Sequence, residues 1–487
     1  MFRLMEKFIL PSNIIFDERP EWSEDEVSQI ESAISFATTK HFGQTRYDGG
    51  PYVNHLISTG KNLAKLGMDT TTIVAGILHD TIEDTETTEK ELEENFGKDV
   101  AFLVMGVSKL SKLKYSGMER HVESLRKFFV AMAEDIRVVI IKLADRLHNI
   151  NTLEFVKKEK QKRIALETLE IHARLADRLG MGVLKAELED KAFPYAYPEE
   201  YEKVKEISEK ATSHSTENMK EVLSSIKESL ELENVKVIKI DYRIKHLYSL
   251  FLKLKKYDMD MDKIHDIIAL RIIVPDLASC YKALGMIHSE YRPMTGRIKD
   301  YIAVPKLNGY KSLHTTILTK DGNTAEIQIR TQEMHDEAEY GIASHLHYKE
   351  IGKNKNISEI KRKTNWTKDL LELQKNIGDS DEFLHTLKTD FFENRVFVFT
   401  PKGDVVDLPE GATPIDFAYA IHSKIGDKLS HAKVNGKLVS LETKLKRGDL
   451  VEIVINKNGH PTEKWLEYVK TNMAKRNIQK YLEVKNK

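Results

Sequence analysis

Apolar positions recur at helical spacing almost throughout residues 20 to about 190. Val100-Ala101-Phe102-Leu103-Val104-Met105 and Val138-Val139-Ile140-Ile141-Lys142-Leu143-Ala144 are examples, and they predict an all-helical region. Prolines are few until Pro194 and Pro198, which mark a boundary. Residues 199–232 then read as one charged amphipathic helix, a connector to the next unit. From Val235 to about Tyr348 the pattern alternates. A strand over Val235–Ile240, a helix near His246–Lys256, a strand over Ala269–Val274 and a helix near Leu277–Tyr291 lead into further strands. Two apolar runs, Tyr301-Ile302-Ala303-Val304 and Thr315-Thr316-Ile317-Leu318, read as two of these strands. Residues 349–390 are lysine-rich and polar, a linker with a helix. Arg395–Thr400, Asp404–Leu408 and Leu450–Ile455 make a small β-rich module with Gly/Pro turns, and Thr462–Lys487 reads as a basic amphipathic helix.

Composition narrows the class. A chain of 487 residues has room for about three domains, each with its own core. Apolar residues at 41% and charged residues at 31% fit a soluble globular protein. A formal charge of −1 excludes a global basic field, so any nucleic-acid contact must rest on local patches. The single cysteine, Cys280, excludes a disulfide framework and a cysteine-based zinc finger within this chain, and is expected to be buried in a helix. The opening MFRLMEKFILPSN is broken by Arg3, Glu6 and Lys7, so it lacks a signal-peptide run, and no segment approaches a membrane span. The expectation is a cytoplasmic protein with no membrane contact.

The richest chemistry lies in RIKDYIAVPKLNGYKSLHTTILTKDGNTAEIQIRT, Arg297 to Thr331. In Ala325–Arg330 the side chains alternate, so Glu326, Gln328 and Arg330 share one face while Ala325, Ile327 and Ile329 face a core. Carboxylate, amide and guanidinium on one sheet face suit a polyphosphate with its Mg²⁺, because cations orient phosphate oxygens and carboxylates hold the metal. The competing reading is a solvated face of an antiparallel sheet.

A second constellation lies upstream: His55 in YVNHL, His79-Asp80 in GILHDTIEDT and Asp145 in KLADRLHN. His79-Asp80 ends an apolar helix, His55 falls on the preceding one, and Asp145 closes the run Val138–Ala144, where its carboxylate emerges at the edge of a core. Two imidazoles with two carboxylates suit Mn²⁺, Zn²⁺ or Fe²⁺ better than Ca²⁺. Such a metal lowers the pKa of bound water and supplies hydroxide for phosphate-ester hydrolysis, with Glu83 and Asp84 one turn on to orient the water or shuttle protons.

These residues resemble the HD phosphohydrolase superfamily. HFGQTRYDGGPYVNHL, GILHDTIEDT and IKLADRLHNINT resemble, more narrowly, the hydrolase domain of bifunctional RelA/SpoT (Rel) alarmone enzymes. RIKDYIAVPKLNGYKSLHTT with EIQIRT is similar to their synthetase domain, and EGATPIDFAYAIHSKIG with VNGKLVSLETKLKRGDLVEI to their TGS domain. The implied fold is multidomain. An all-α HD-type hydrolase domain (1–196) precedes an α+β nucleotidyltransferase-like synthetase domain (197–348), the linker (349–390), a small β-rich, ubiquitin-like TGS domain (391–457) and the start of a helical region (458–487).

The resemblance implies transfer of pyrophosphate from ATP to the 3′-hydroxyl of GDP or GTP, giving (p)ppGpp, and hydrolysis of that product in the stringent response. It assigns Mn²⁺ to His55, His79, Asp80 and Asp145, water activation to Glu83 and Asp84, and nucleotide contact to Arg46, Asn149 and Thr152. In the synthetase domain Asp266 and Glu326 become the Mg²⁺-holding catalytic pair. Arg243, Lys245, Ser249 and Lys253, at a helix start, would grip ATP phosphates with help from the helix dipole. Lys299, Lys306, Asn308 and His314 would meet phosphates or the acceptor, with Gln328 beside them, and Tyr310 would stack on guanine. The signature Arg297-Ile298-Lys299-Asp300 is the basic form that accompanies bifunctional enzymes.

Relatives place Lys or Arg and then Ser after the equivalent of Arg46, whereas this chain has Tyr47-Asp48, which puts nucleotide preference in question. His422 matches a residue implicated in contact between TGS domains and uncharged tRNA on the ribosome. The family's cysteine-bearing zinc-finger region and its terminal ACT or RRM-type domain have no counterpart before Lys487, so the chain is expected to be a fragment or a shortened protein. The alternatives are an enzyme with one effective activity, or a mainly tRNA- or ribosome-responsive regulatory protein.

Overall fold

The computed structural model describes residues 9–19, 21–111, 130–131, 134–260, 264, 267–306, 308–319, 322–344, 395–403, 405–446, 448–456 and 459–485. The linker at 349–390 lies outside them. The chain divides into two compact units, the first closing at Leu371 and the second made largely of the residues after it.

After a short helical turn at Asn13–Phe16, the first unit runs through helices α1 (Glu24–Lys40), α2 (Val53–Lys65), α3 (Thr70–Leu78), α4 (Thr81–Asp84), α5 (Glu89–Ser111) and α6 (Ile136–Asn151). Three of these starts are chemically marked. Ser23 and Glu26 form a capping box on α1, Asp69 caps α3 and Asp135 caps α6. Helices α2 and α3 approach closely because glycines stand where they meet. A Cβ on Gly76 would lie 2.2 Å from Leu63 Cδ1, and one on Gly60 would lie 2.8 Å from Ile77 Cγ1. That approach brings His55 of α2 beside His79 at the end of α3. Helices α7 (Lys158–Glu167), α8 (Ala173–Arg178) and α9 (Gly182–Ala196) follow, with one π-helical turn at Thr168–His172.

Helix α10 (Pro198–Leu232) opens on Pro198 at its first turn, where the missing N–H is harmless. It is more than the connector its charge suggests. Met219, Val222, Ile226 and Leu230 form one apolar stripe buried against the sheet that follows. Each such burial contributes about 1.5–3 kcal/mol.

That sheet has five strands, β1 (Lys239–Ile244), β2 (Ile268–Val274), β3 (Lys299–Asp300), β4 (Leu313–Leu318) and β5 (Thr324–Thr331), in the order β1-β2-β5-β4-β3. Only the β2–β5 pair is parallel. Between the strands run α11 (Leu247–Lys256) and α12 (Leu277–Glu290), and α13 (Gln332–Tyr340) follows β5. Leu270, Ile272, Ile327, Ile329, Leu313 and Ile317 face α10 and α12, where Cys280 is buried as expected.

Two strand expectations shift. Val235 belongs to the turn after α10, its amide bonded to Leu230 O, so the first strand starts at Lys239. Tyr301–Val304 is a turn rather than a strand: Asp300 Oδ1 accepts the amides of Ile302 (2.9 Å) and Ala303 (2.8 Å) and curls the chain back.

The second unit pairs β6 (Arg395–Phe399) with β7 (Val405–Pro409) and arranges β8 (Leu429–Val434), β9 (Lys437–Val439) and β10 (Val451–Ile455) in the order β10-β8-β9. Helices α14 (Pro414–Ile421) and α15 (Ser423–Asp427) precede β8. The single tail helix expected from Thr462 is broken into α16 (Trp465–Tyr468) and α17 (Asn472–Lys485). The cause is Asp416 of α14. Its fully buried carboxylate accepts the amides of Lys470 (3.0 Å) and Thr471 (2.8 Å) and the Thr471 hydroxyl (2.8 Å), so these cannot join a helix.

Candidate active sites

The α2–α3 crossing and α6 bring His55, His79, Asp80 and Asp145 together. Nε2 of His55 lies 3.5 Å from Asp80 Oδ2 and 3.3 Å from Asp145 Oδ1, and Nε2 of His79 lies 3.1 and 3.8 Å from the same atoms. Both imidazoles are aimed by their far nitrogens. His79 Nδ1 meets Gly76 O at 2.8 Å, which directs its Nε2 inward, buried and without a hydrogen-bond partner. His55 Nδ1 meets His148 Nδ1 at 2.9 Å. Burial first, then His55 and Arg46, holds His148 down at about 3, so its ring stays neutral beside His55.

The electrostatics ask for a cation. Burial would raise the Asp80 and Asp145 carboxyls, yet His79 beside Asp80 and Lys142 beside Asp145 hold both well below their ordinary values. Burial disfavours charge on His79, but Asp80 and Asp145 push it up to about 9. An inward-facing, orphaned imidazole nitrogen among carboxylates fits a divalent metal of the Mn, Zn or Fe kind.

Around this cluster the structure adds groups the sequence reading passed over. The Tyr52 hydroxyl lies 2.8 Å from Asp80 Oδ2 and 2.9 Å from Asp84 Oδ2, bridging a candidate ligand and a candidate water-activating acid. Lys142 Nζ pairs with Asp145 Oδ2 at 2.8 Å. The signal was available: Tyr52 precedes His55 by one turn, Lys142 precedes Asp145 by one, and His148 follows Asp145 by one. Glu83 and Asp84 lie on the short α4 beyond Asp80. Arg46 donates to Asn149 Oδ1 (2.7 Å), whose amide donates to Asp145 Oδ1 (2.6 Å). Thr152 closes α6 and donates to His148 O at 3.2 Å. At Tyr47-Asp48, Asp48 Oδ1 accepts the Gly50 amide (2.9 Å) in a tight turn and Tyr47 stands 72% exposed.

The second candidate site is the polar face of the five-stranded sheet. Register places Asp241, Arg271, Gln328, His314 and Lys299 in one row across it, with Arg243 and Glu326 in the next. His314 Nδ1 lies 3.3 Å from Glu326 Oε1, and its Nε2 meets the Tyr310 hydroxyl at 2.8 Å. Gln328 Nε2 donates to Glu326 Oε1 at 2.9 Å. Burial lowers the His314 pKa, favouring the neutral ring. Lys306 Nζ stands 4.8 Å from the Tyr301 ring centre and 4.7 Å from that of Tyr310, on a loop where Asn308 Oδ1 accepts the Tyr310 amide (3.2 Å). Arg297 is half-buried in the turn before β3, and Lys299 is exposed on that edge strand. Asp266 lies outside the described residues.

Two arginines alter the expected face. Arg271, unremarked in the sequence reading, forms a two-bond fork on Asp241 (2.8 and 2.7 Å). A lone charge inside the buried run Ile268–Val274 was its signal. Arg330 is fully buried, donating from Nη2 to Glu339 (3.0 Å) and His335 (2.8 Å), so it serves as floor rather than as an exposed cation. The start of α11 also differs from expectation. Its first-turn amide at Tyr248 already binds the Asp190 carboxylate of α9 at 3.0 Å, so that end of the helix is capped within the chain. Ser249 and Lys253 lie on α11, Arg243 on β1 and Lys245 between them. His422, in the second unit, is exposed and accepts the Lys424 amide at 3.1 Å to start α15.

The two candidate sites are a helical bundle that gathers two imidazoles and two carboxylates, and a mixed five-stranded sheet with a polar face. Residues 33–182 match the HD domain, residues 242–353 the region found in RelA/SpoT proteins, and residues 396–455 the TGS domain. A GTP pyrophosphokinase of Myxococcus xanthus is 46% identical over 480 residues, covering 96% of this chain and 63% of that protein. A guanosine-3′,5′-bis(diphosphate) 3′-pyrophosphohydrolase of Aquifex aeolicus is 46% identical over 455 residues, covering 93% and 64%. The bifunctional (p)ppGpp synthase/hydrolase SpoT of Escherichia coli K12 is 43% identical over 460 residues, covering 94% and 65%. The chain thus spans somewhat under two thirds of the length of these relatives. It carries, in order, an HD domain, a region found in RelA/SpoT proteins and a TGS domain, and over nearly all of its length it is similar to these relatives. No helix among the described residues is long and apolar enough to cross a membrane.

Proposed function

We propose that the chain both makes and removes (p)ppGpp: it transfers pyrophosphate from ATP to the 3′-hydroxyl of GDP or GTP, and it hydrolyses the product to GDP or GTP plus pyrophosphate. The observation that carries this reading is the coexistence, in one unit, of the His55–His79–Asp80–Asp145 cluster and the sheet face bearing Glu326 and His314. Relatives of comparable identity carry names for either reaction or for both.

On the hydrolytic side His55, His79, Asp80 and Asp145 would hold Mn²⁺. When bound, that ion lowers the pKa of water and withdraws charge from phosphate oxygens. Asp84 is held by the Tyr52 hydroxyl where it can orient a water and take its proton, with Glu83 beside it. Arg46, linked to Asn149, places a cation at the rim for the substrate's phosphates, and Thr152 closes the same helix.

On the synthetic side Glu326, with Asp266, would hold Mg²⁺ and draw the proton from the attacking 3′-hydroxyl. His314, neutral between Tyr310 and Glu326, fixes the direction of that carboxylate. Arg243, Lys245, Ser249 and Lys253 form the ATP side; Arg297, Lys299, Lys306, Asn308 and Gln328 form the acceptor side with Tyr310 as stacking surface. The proposed nucleotide substrates support a cytoplasmic location. His422 of the TGS domain is proposed as a contact for uncharged tRNA on the ribosome.

The test incubates the purified chain with ATP, GDP and Mg²⁺, and separately with ppGpp and Mn²⁺. Asp80→Ala should abolish hydrolysis alone and Glu326→Gln synthesis alone. Loss of both activities in either folded variant would leave a single shared site and sink the proposal.

A further inference from the structure

Helix α11 lacks a cap of its own. His246 stands at its N-cap position with no side-chain bond to the first turn. The missing acceptor comes from 56 residues upstream, from Asp190 on α9. One Asp190 oxygen accepts the Tyr248 amide at 3.0 Å, and the other lies 3.0 Å from His246 Nδ1. Phe193, one turn further along α9, packs on Tyr248 (ring centres 5.3 Å) and stacks on Phe251 (5.0 Å, 30° between planes). A two-oxygen anchor at the helix start and an aromatic clamp one turn later together fix both the rotation and the axial position of α11.

The same hairpin reaches the other side of the sheet face. Asn308 Nδ2 approaches Asp177 Oδ1 at 3.4 Å on α8. A Cβ on Gly180, in the turn between α8 and α9, would stand 2.8 Å from Asn308 O. Helix α9 therefore touches the segment assigned to ATP with its carboxylate, while the turn at its start touches the loop assigned to the acceptor.

We propose that Asp190 is a positioning residue for the synthetic reaction, anchoring the Arg243–Lys253 segment so that its ATP-gripping groups stand at the required distance from Glu326 and the Asn308 loop. This rests on the reading of the sheet face as a pyrophosphate-transfer site. Asp190 touches neither nucleotide; it acts through α11. An anchor of this kind governs how well ATP is held and leaves the upstream metal cluster untouched.

The experiment uses the full chain and compares wild type, Asp190→Ala and Asp190→Asn in both reactions. Asp190→Ala should raise KM for ATP about five- to tenfold, the scale of one lost helix cap. KM for GDP and the rate of ppGpp hydrolysis with Mn²⁺ should stay within about twofold of wild type. Asp190→Asn keeps an oxygen for the Tyr248 amide and should fall between the two. An unchanged KM for ATP in folded Asp190→Ala overturns the proposal. So does a rise in KM for GDP accompanied by parallel losses of synthesis and hydrolysis, which is the mark of a merely structural carboxylate. If the alanine variant does not fold, Asp190→Asn decides alone: more than about a twofold selective rise supports the proposal, and none overturns it. Absence of synthesis by the wild-type chain would instead refute the transfer reading itself.

Discussion

At the scale of single residues, the Tyr52 hydroxyl is the most consequential group that the motifs did not mark. It is an uncharged donor shared between Asp80 and Asp84, and burial followed by those two carboxylates raises its pKa, so it stays protonated throughout the working range. Removing it should leave the ligand set in place and release Asp84. Tyr52→Phe is expected to slow ppGpp hydrolysis by about 10- to 100-fold, the usual penalty for losing an outer-shell partner, with synthesis unchanged. Parallel assays on one preparation check this, and equal losses in both reactions would count against it. A different residue contributes to acid stability. Glu26 would be raised by burial, but the Ser23 amide and hydroxyl, Arg19 and Thr70 bring it down to about 2 from 4.5. A depressed carboxyl contributes stability that is full above about pH 4.5 and vanishes as pH falls toward 2. Glu26→Gln should therefore melt a few degrees below wild type at pH 7, a loss of about 1 kcal/mol, and the gap should close by about pH 2. A gap independent of pH would show that the charge is irrelevant.

Elements were legible in proportion to how far local pattern and tertiary demand agreed. The alternation of Ala325–Arg330 predicts β5 because one of its faces really is core. The run Val138–Ala144 predicts α6 and the place where Asp145 emerges, so the clustering of Asp145 with the two histidines could be read from sequence. Tyr301–Val304 misleads because its apolar residues are bent by the Asp300 carboxylate, a bond between neighbours that hydrophobic period cannot register. The tail misleads because Asp416, more than fifty residues away, captures two amides in the middle of a good helical pattern. Asp190 and Arg330 were illegible for the same reason: their roles are long-range contacts.

Close approach without side chains is equally invisible to periodicity. A Cβ on Gly182 would lie 2.4 Å from the Ala338 carbonyl oxygen, at the contact between α9 and α13, whereas one on Gly285 in α12 would meet nothing within 4 Å. Gly182→Ala should cost about 1–3 kcal/mol, since backbone must move. Gly285→Ala should stabilise by about 0.4–1 kcal/mol through the helix's lower entropy cost. Denaturant midpoints of the two variants must move in opposite directions. Shifts of the same sign would mean that the α9–α13 contact is looser than these distances say.

At the scale of the whole molecule, every described group of both candidate sites belongs to the first compact unit, which closes at Leu371. The second unit has cores of its own, one around Phe417 and Val398 and one around Tyr419, Trp465 and Ile478. Its carboxylate clasp at Asp416 is satisfied from within. A unit with its own core and its own polar partners can fold on its own. The chemistry of the two sites also differs: one cluster is two imidazoles and two carboxylates, the other a carboxylate face flanked by lysine and arginine. A chain ending at Leu371 should therefore retain both synthesis and hydrolysis within about threefold of the full chain, because neither site loses a described residue. Dialysis against a chelator, followed by Mg²⁺ alone, should restore synthesis but not hydrolysis, and later addition of Mn²⁺ should restore the second, since nitrogen ligands favour the transition metal. Loss of one activity in the shortened chain with correct metals present would show that the second unit supplies part of that site. Recovery of both by Mg²⁺ alone would show that the histidine cluster does not discriminate as its donor set requires.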